Sequence, residues 1–328
     1  MFFYIMRRFL YMIILLLSVS VVSFIIIQLP PGDWLTTYIA SLEARGQRID
    51  EAQIATLRKQ YGLDQPPVIQ YFKWITNLSR GNLGFSFSYN KPINDLLKER
   101  LPITILLSSF TLLFTYIIAI PIGIYSAIHK YSTFDYLFTI IGFIGLSIPG
   151  FLFALILNWI FHNYFGLSIG GLFSAKYIGI TWSLEKFFDM LKHLPTPLIV
   201  IGLSGTAGII RIMRGCLLDE LNKQYVITAR TKGLPEKKLM FKYPVRIAIN
   251  PILSTIGWTL PGIFSGETIV SLVLNLPTMG PLLYNALTTQ DMYLAGSIIM
   301  ILTLLVCVGT LISDILLALA DPRIRFGM

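Results

Sequence analysis

Residues Phe9 to Leu29 run without one charged side chain, directly after Arg7 and Arg8. A helix needs roughly 20 apolar residues to cross the hydrocarbon of a bilayer, where every backbone amide must be satisfied inside the segment itself. Comparable runs recur at Leu101–Ile128, Tyr136–Phe161, Leu194–Ile210, from Ile247 to Gly266, and at Tyr293–Ile312. No soluble core hides so much apolar surface: 55% of the chain is hydrophobic and 13% charged, against about 25% charged in soluble domains. A cleaved signal peptide is the rival reading of the first run. That run is too long, and no small-residue cleavage site follows it. The sequence therefore predicts an all-α membrane protein with six transmembrane helices, its N-terminus in the cytoplasm.

The expected organisation is helix one over 1–29, a sizeable external loop over 30–100, a membrane core over 101–320 and a tail over 321–328. The loop holds PPGDW, a charged, helix-like stretch SLEARGQRIDEAQIATLRKQYGL and the turn-rich RGNLGFSFSYNKP. Pro149-Gly150 inside the third run predicts a kink, tolerable where neighbouring helices satisfy the freed backbone groups. Asn163–His193 reads as a second external segment whose amphipathic WSLEKFFDMLKHL suits the membrane surface. The fourth helix is short, carries Pro195 and Pro197 at its start, and has the least defined ends. Asn275–Met292 reads as a turn-rich external loop.

Six spans put both termini on one side, and the distribution of charge agrees. Asn163–His193 and Asn275–Met292 hold three and no Lys or Arg, whereas Arg211–Arg246 holds nine. The loop 30–100 also holds nine, but long loops cross largely regardless of charge. The net charge of +9 thus belongs to cytoplasmic segments rather than to a nucleic-acid surface. Cys216 and Cys307 lie far apart and the three histidines are scattered, so no disulfide or metal centre is expected. There is no GxxxxGK[ST] phosphate loop and no serine, cysteine or metal constellation, so the chain is expected to be no enzyme and to hydrolyse no ATP itself.

One segment needs more than a topology rule. YVITARTKGLPEKKLMFKYPVRIAINP, Tyr225 to Pro251, is densely basic between two apolar runs. It reads as a positive-inside signal, as a patch for anionic lipid heads, or as a docking element for a cytoplasmic protein. The order of residues favours docking. Asp219–Lys232 suits a helix, Gly233 sits where a left-handed cap belongs, and Pro235 suits a first helical position. In PEKKLMFKY, Leu239, Met240 and Tyr243 form an apolar stripe beside Lys237, Lys238 and Lys242, an expected knob for a groove on a partner.

This segment resembles the cytoplasmic signature of the membrane subunits of bacterial ABC importers, above all the dipeptide/oligopeptide/nickel permease family. The matching residues are Tyr225-Val226, Ala229-Arg230, Lys232-Gly233-Leu234 and Arg246-Ile247-Ala248-Ile249-Asn250-Pro251. The older importer signature begins Glu-Ala-Ala. Here Ile227-Thr228-Ala229 stands in its place, so no role of that Glu carries over. YGLDQPPVIQYFKW, RGNLGFS, LKERLPITILL, NLPTMGPLLYNAL and SDILLALADPRIRF are similar to further family segments in the same order.

The resemblance implies a type I ABC importer permease fold. It also implies a second permease subunit, two cytoplasmic ATPase subunits, an external solute-binding protein and a bacterial or archaeal plasma membrane with both termini cytoplasmic. ATP and Mg2+ would be used by the ATPase subunits, and no cofactor would be bound by this chain. Tyr225, Ala229, Arg230, Lys232, Gly233, Leu234, Pro235, Lys238, Leu239 and Phe241 would couple to the ATPase, with Arg230 as polar anchor and Leu234–Phe241 as the inserted surface. Gly233 also reads as an ordinary helix cap, and Arg230 as a topology charge. Glu267 would line the pathway or brace the gate, or make a structural hydrogen bond. Asp314, near the tail, reads as a helix-end brace. Peptides are the family's default substrate; oligosaccharides or metal chelates remain alternatives, and an ATP-independent secondary transporter is the rival class.

Overall fold

The structure, a computed structural model, describes residues 2–32, 34–44, 50–60, 64–166, 169–180 and 182–320. The first described elements are α1 (Phe2–Gln28), α2 (Trp34–Glu43), α3 (Glu51–Gln60) and α4 (Pro67–Ser79), then the two-residue strands β1 (Phe85–Ser86) and β2 (Lys91–Pro92). α5 (Ile93–Ile128), α6 (Thr133–Ser147), α7 (Gly150–Phe165), α8 (Leu184–His193) and α9 (Pro195–Leu221) follow. The remainder is α10 (Gln224–Thr231), α11 (Glu236–Lys242), α12 (Pro244–Ala248), α13 (Asn250–Val273), α14 (Met279–Thr288) and α15 (Met292–Ala320).

Among the described residues four helices are long and apolar enough to cross a membrane: Met6–Gln28, Ile93–Ile128, Pro195–Leu221 and Met292–Leu317. The pair α6–α7 makes a fifth if it is one span. The chain divides into two compact units. One is Met1–Ile103 with Thr278–Cys307; the other is Thr104–Pro277 with Val308–Met328.

Among the described residues the first unit shows these two apolar clusters. Ile93, Leu96 and Leu97 of α5 pack on Met279, Leu282 and Leu294. Trp74 of α4 packs with Phe24 of α1 and Met300 of α15. Trp74 lies directly over Gly296, where a Cβ would sit 2.8 Å from a ring carbon. Gly296→Val must push the indole away, and overpacking of this kind costs about 1–3 kcal/mol. The expected outcome is a lower thermal midpoint in detergent, with Gly296→Ala milder than Gly296→Val.

Asp291 ties the β1–β2 hairpin to the start of α15. It is fully buried and accepts hydrogen bonds from Ser86 Oγ (2.7 Å), Ser88 N (3.0 Å) and Leu294 N (3.3 Å). Burial pushes its carboxyl above the usual carboxylate range despite these donors. The proton therefore binds the folded state more tightly than the unfolded one. The resulting stability is fully present below the ordinary Asp range and is lost as pH rises through the folded value. Thermal midpoints measured against pH are expected to fall over that window in the parent, with Asp291→Asn removing this component.

In the second unit α9 is the central helix, with α6, α7, α8, α12 and α13 against it. Gly145 of α6 admits Leu203 and Gly123 of α5 admits Met213; a Cβ at either would come within 2.8 Å and 2.6 Å of those side chains. Ser132 caps α6 by accepting from Asp135 N. Asp135 in turn takes a bidentate pair from Arg214 of α9, Nε to Oδ1 at 3.1 Å and Nη2 to Oδ2 at 2.9 Å. Tyr131 N adds a third donor at 2.9 Å. Tyr116 of α5 shares a 2.8 Å hydroxyl contact with Thr255 of α13.

Several expected boundaries are corrected. The third run is two helices bent by 104° at Pro149 rather than one kinked helix. Proline drives its predecessor out of the helical region, and Ile148 is extended at φ −92°, ψ 121°. α5 begins at Ile93, eight residues before the expected start, because Leu96 and Leu97 are core residues. α9 runs on to Leu221 instead of stopping at Ile210. Ile209, Met213 and Leu217 continue one buried stripe past Arg211. Residues 279–288, expected as loop, form α14, with Met279, Leu282 and Ala286 buried on one face. In α8, Lys186 points inward rather than to the surface, donating to Ile180 O at 2.5 Å beneath the Phe173 ring. The tail 321–328 lies outside the described residues.

Candidate coupling hairpin

The basic segment folds as a helical hairpin in the second unit. α9 ends at Leu221 and the chain restarts at Gln224, so the single helix expected over Asp219–Lys232 is broken at Asn222-Lys223. Tyr225 OH donates to Glu220, pinning α10 to the end of α9. Burial and then that carboxylate push the Tyr225 phenol well above its usual range, so it stays protonated.

Gly233 turns the chain at φ +76°. Its N–H bonds Arg230 O at 3.0 Å and the next N–H, of Leu234, reaches Ala229 O at 3.4 Å. This is a left-handed helix cap, which only glycine enters without strain. Pro235 stands one position before α11 instead of at its first turn, with ψ at 134°. Arg230 and Glu236 close the turn with two bonds, Nε to Oε2 at 3.1 Å and Nη2 to Oε1 at 2.6 Å. That hydrogen bond holds the Glu236 carboxyl below its usual range. The clamp's contribution is present above the ordinary glutamate range and fades as pH falls through the depressed value.

The expected apolar knob is corrected. Leu239 is fully buried and Met240 nearly so, packed on Val226 and Ala229, with Leu234 and Tyr243 beside them. The stripe that the sequence reading placed at the tip is the hairpin's own core. Two helices this short cannot hold together without one. Of the expected coupling residues, Arg230, Lys232, Gly233, Pro235, Lys238 and Phe241 face outward. Phe241 is 56% exposed and Ile227 43%. Neither Phe241 nor Ile227 is needed inside, so they are the apolar groups available to a partner.

The hairpin is tied to the bundle at both ends. Val245 and Ala248 of α12 are buried against Met213 and Leu217 of α9, and α12 leads into α13 through Ile249. Force on α10–α11 therefore enters α9 and α13 directly. Glu267 lies in α13, and its side chain is outside those described. Asp314 is half-buried in α15, next to Ser313, whose Oγ donates to Leu253 O of α13 at 2.8 Å. The Asp135–Arg214 pair was missed in the sequence. Arg214 was counted there as a topology charge; its signal was an acid opening one apolar helix and an arginine inside another.

Comparison with known proteins agrees along the chain. Residues 119–326 match the family described as binding-protein-dependent transport system inner membrane component, and residues 1–108 match that family's N-terminal domain. An oligopeptide transport system permease protein of Bacillus subtilis (strain 168) is 34% identical over 98% of this chain and 99% of its own. A dipeptide transport system permease protein of Alkalihalophilus pseudofirmus is 30% identical over 98% of this chain. An inner membrane ABC transporter permease protein of Escherichia coli O157:H7 is also 30% identical over 98% of this chain. These matches and the apolar helices identify a multi-pass membrane protein, and the chain belongs to the family of binding-protein-dependent transport system inner membrane components.

Proposed function

We propose that this chain is a permease subunit of an ATP-driven importer of peptides. With a second permease subunit it forms the pathway, by six spans in which α6–α7 and α13 supply the third and fifth. Two ATPase subunits lie beneath it and use ATP and Mg2+, and an external binding protein delivers substrate to the side carrying 30–100. Both termini are cytoplasmic. The observation that carries this reading is the self-supported hairpin α10–α11, clamped by Arg230–Glu236 and continuous with α9 and α13. A partner whose two nucleotide states contact Phe241, Lys238 and the Gly233 turn differently would do work on those helices. Asp314 braces the end of α15, and Glu267 lines the pathway or braces the gate. The peptide substrate rests on the names of the relatives.

The test is purification from native membranes in mild detergent, followed by reconstitution. A second permease, ATPase subunits and a binding protein are expected, with peptide uptake that requires ATP and Mg2+. Oligosaccharide uptake in place of peptide would change the substrate alone. Uptake by the isolated chain, driven by an ion gradient, would overturn the importer.

A further inference from the structure

The cations of the α10–α11 hairpin are not alike. Arg230 is committed within the hairpin: its Nε and Nη2 donate to Glu236 Oε2 at 3.1 Å and Oε1 at 2.6 Å. Among the described residues, the ammonium groups of Lys232, Lys237 and Lys238 have no acid within ion-pair distance. A partner that needs a cation from this surface finds three lysines with no bond to give up. Arg230 would first have to release both of its own.

The pair does little to hold the fold. Its side chains are 50% and 56% exposed, and an exposed ion pair adds little to stability. Leu239 and Met240 on Val226 and Ala229 do that work. Those contacts are apolar and so non-directional, and they come from α11 beyond its first turn. A guanidinium fork on both oxygens of a carboxylate sets angle as well as distance. Arg230 belongs to the last turn of α10 and Glu236 opens α11. The fork therefore spans the Gly233 turn, at φ +76°, and fixes how α11 leaves it. Lys238 and Phe241 follow on α11, one helical turn apart, so a roll of α11 would move both.

We infer that Arg230 is a positioning residue: it acts through Glu236 to aim Lys238 and Phe241 at the ATPase, rather than by bonding the ATPase itself. Glu236 thereby joins the coupling machinery, although it touches no partner. The inference rests on the importer reading above. It assigns the pair to the transmission of movement and the Leu239 core to the fold.

The test is a double-variant cycle in the assembled transporter, reconstituted with its ATPase subunits and binding protein. The readout is peptide uptake per ATP hydrolysed. A parent without ATP-driven uptake would sink the importer reading and this inference with it. With an active parent, Arg230→Ala and Glu236→Ala are each expected to lower the ratio roughly tenfold. The ATPase subunits should stay bound, and limited proteolysis should find the hairpin intact. Arg230→Ala with Glu236→Ala is expected to be no worse than Arg230→Ala alone, because both changes remove one interaction. Arg230→Lys disturbs the hairpin least, keeping the charge without the fork, and is expected to fall between the parent and Arg230→Ala. Losses that multiply in the double variant, or a Glu236→Ala ratio equal to the parent's, would give Arg230 a partner of its own and overturn the inference. Release of the ATPase by Arg230→Ala, or full activity in Arg230→Lys, would overturn it too.

Discussion

Phe241→Asp is expected to abolish ATP-driven transport while leaving the permease folded and in the membrane. Phe241 is 56% exposed at the end of α11, so a carboxylate there meets water in the free subunit and costs the fold little. In a docked complex it would be buried against the partner. Buried aromatic anchors carry at least about 2 kcal/mol each, which is roughly a thirtyfold loss of affinity, and an unpaired carboxylate adds desolvation to that. The control is Leu239→Asp, two residues away. Leu239 is fully buried with Val226 and Ala229, so that change should unfold the hairpin and expose it to limited proteolysis. Loss of ATPase subunits with an intact proteolysis pattern for Phe241→Asp, and with a degraded one for Leu239→Asp, separates docking from folding. Retained transport in Phe241→Asp would show that this surface meets no partner.

Arg214→Met is expected to destabilise the second unit more than any surface charge change. The Asp135 side chain is 3% exposed, and Arg214, at 2.9 Å, supplies two of its donors. Removing one member of a buried pair typically costs about 3–5 kcal/mol, because the other charge is left uncompensated. Asp135→Asn is expected to cost less, since Arg214 is partly exposed and regains water. The double variant Asp135→Asn with Arg214→Met should recover part of the single-variant loss, since its two changes share one interaction. Thermal denaturation of the purified permease measures all three. If Arg214→Met matched an exposed lysine change such as Lys237→Met, the pair would hold nothing together.

Spanning runs, the family and the helix–glycine–helix order of the hairpin were legible in the sequence, because each is written in contiguous residues. Gly233 could be read as a cap since a positive φ leaves few other residues to choose. What was not legible depends on partners distant in the chain. Leu239 and Met240 look like a surface knob when α11 is considered alone; only α10 folded against them makes them a core. Asp135 and Arg214 are 79 residues apart, and nothing local announces the pair. α14 was hidden by Pro277, Gly280 and Pro281, which read as turn signals although Pro277 precedes the N-cap and a first helical turn tolerates the other two. Pro149 was recognised as a disturbance, but whether a proline bends or breaks a helix is decided by the packing of both halves.

The central claim is that α10–α11 is held by an ATP-hydrolysing partner. A photo-crosslinking amino acid at Lys238, an exposed position of α11, tests it in the assembled complex within native membranes. The account predicts a crosslink to an ATPase subunit whose yield changes between ATP-bound and nucleotide-free conditions. A crosslink only to lipid or to this chain itself, unchanged by nucleotide, would contradict it.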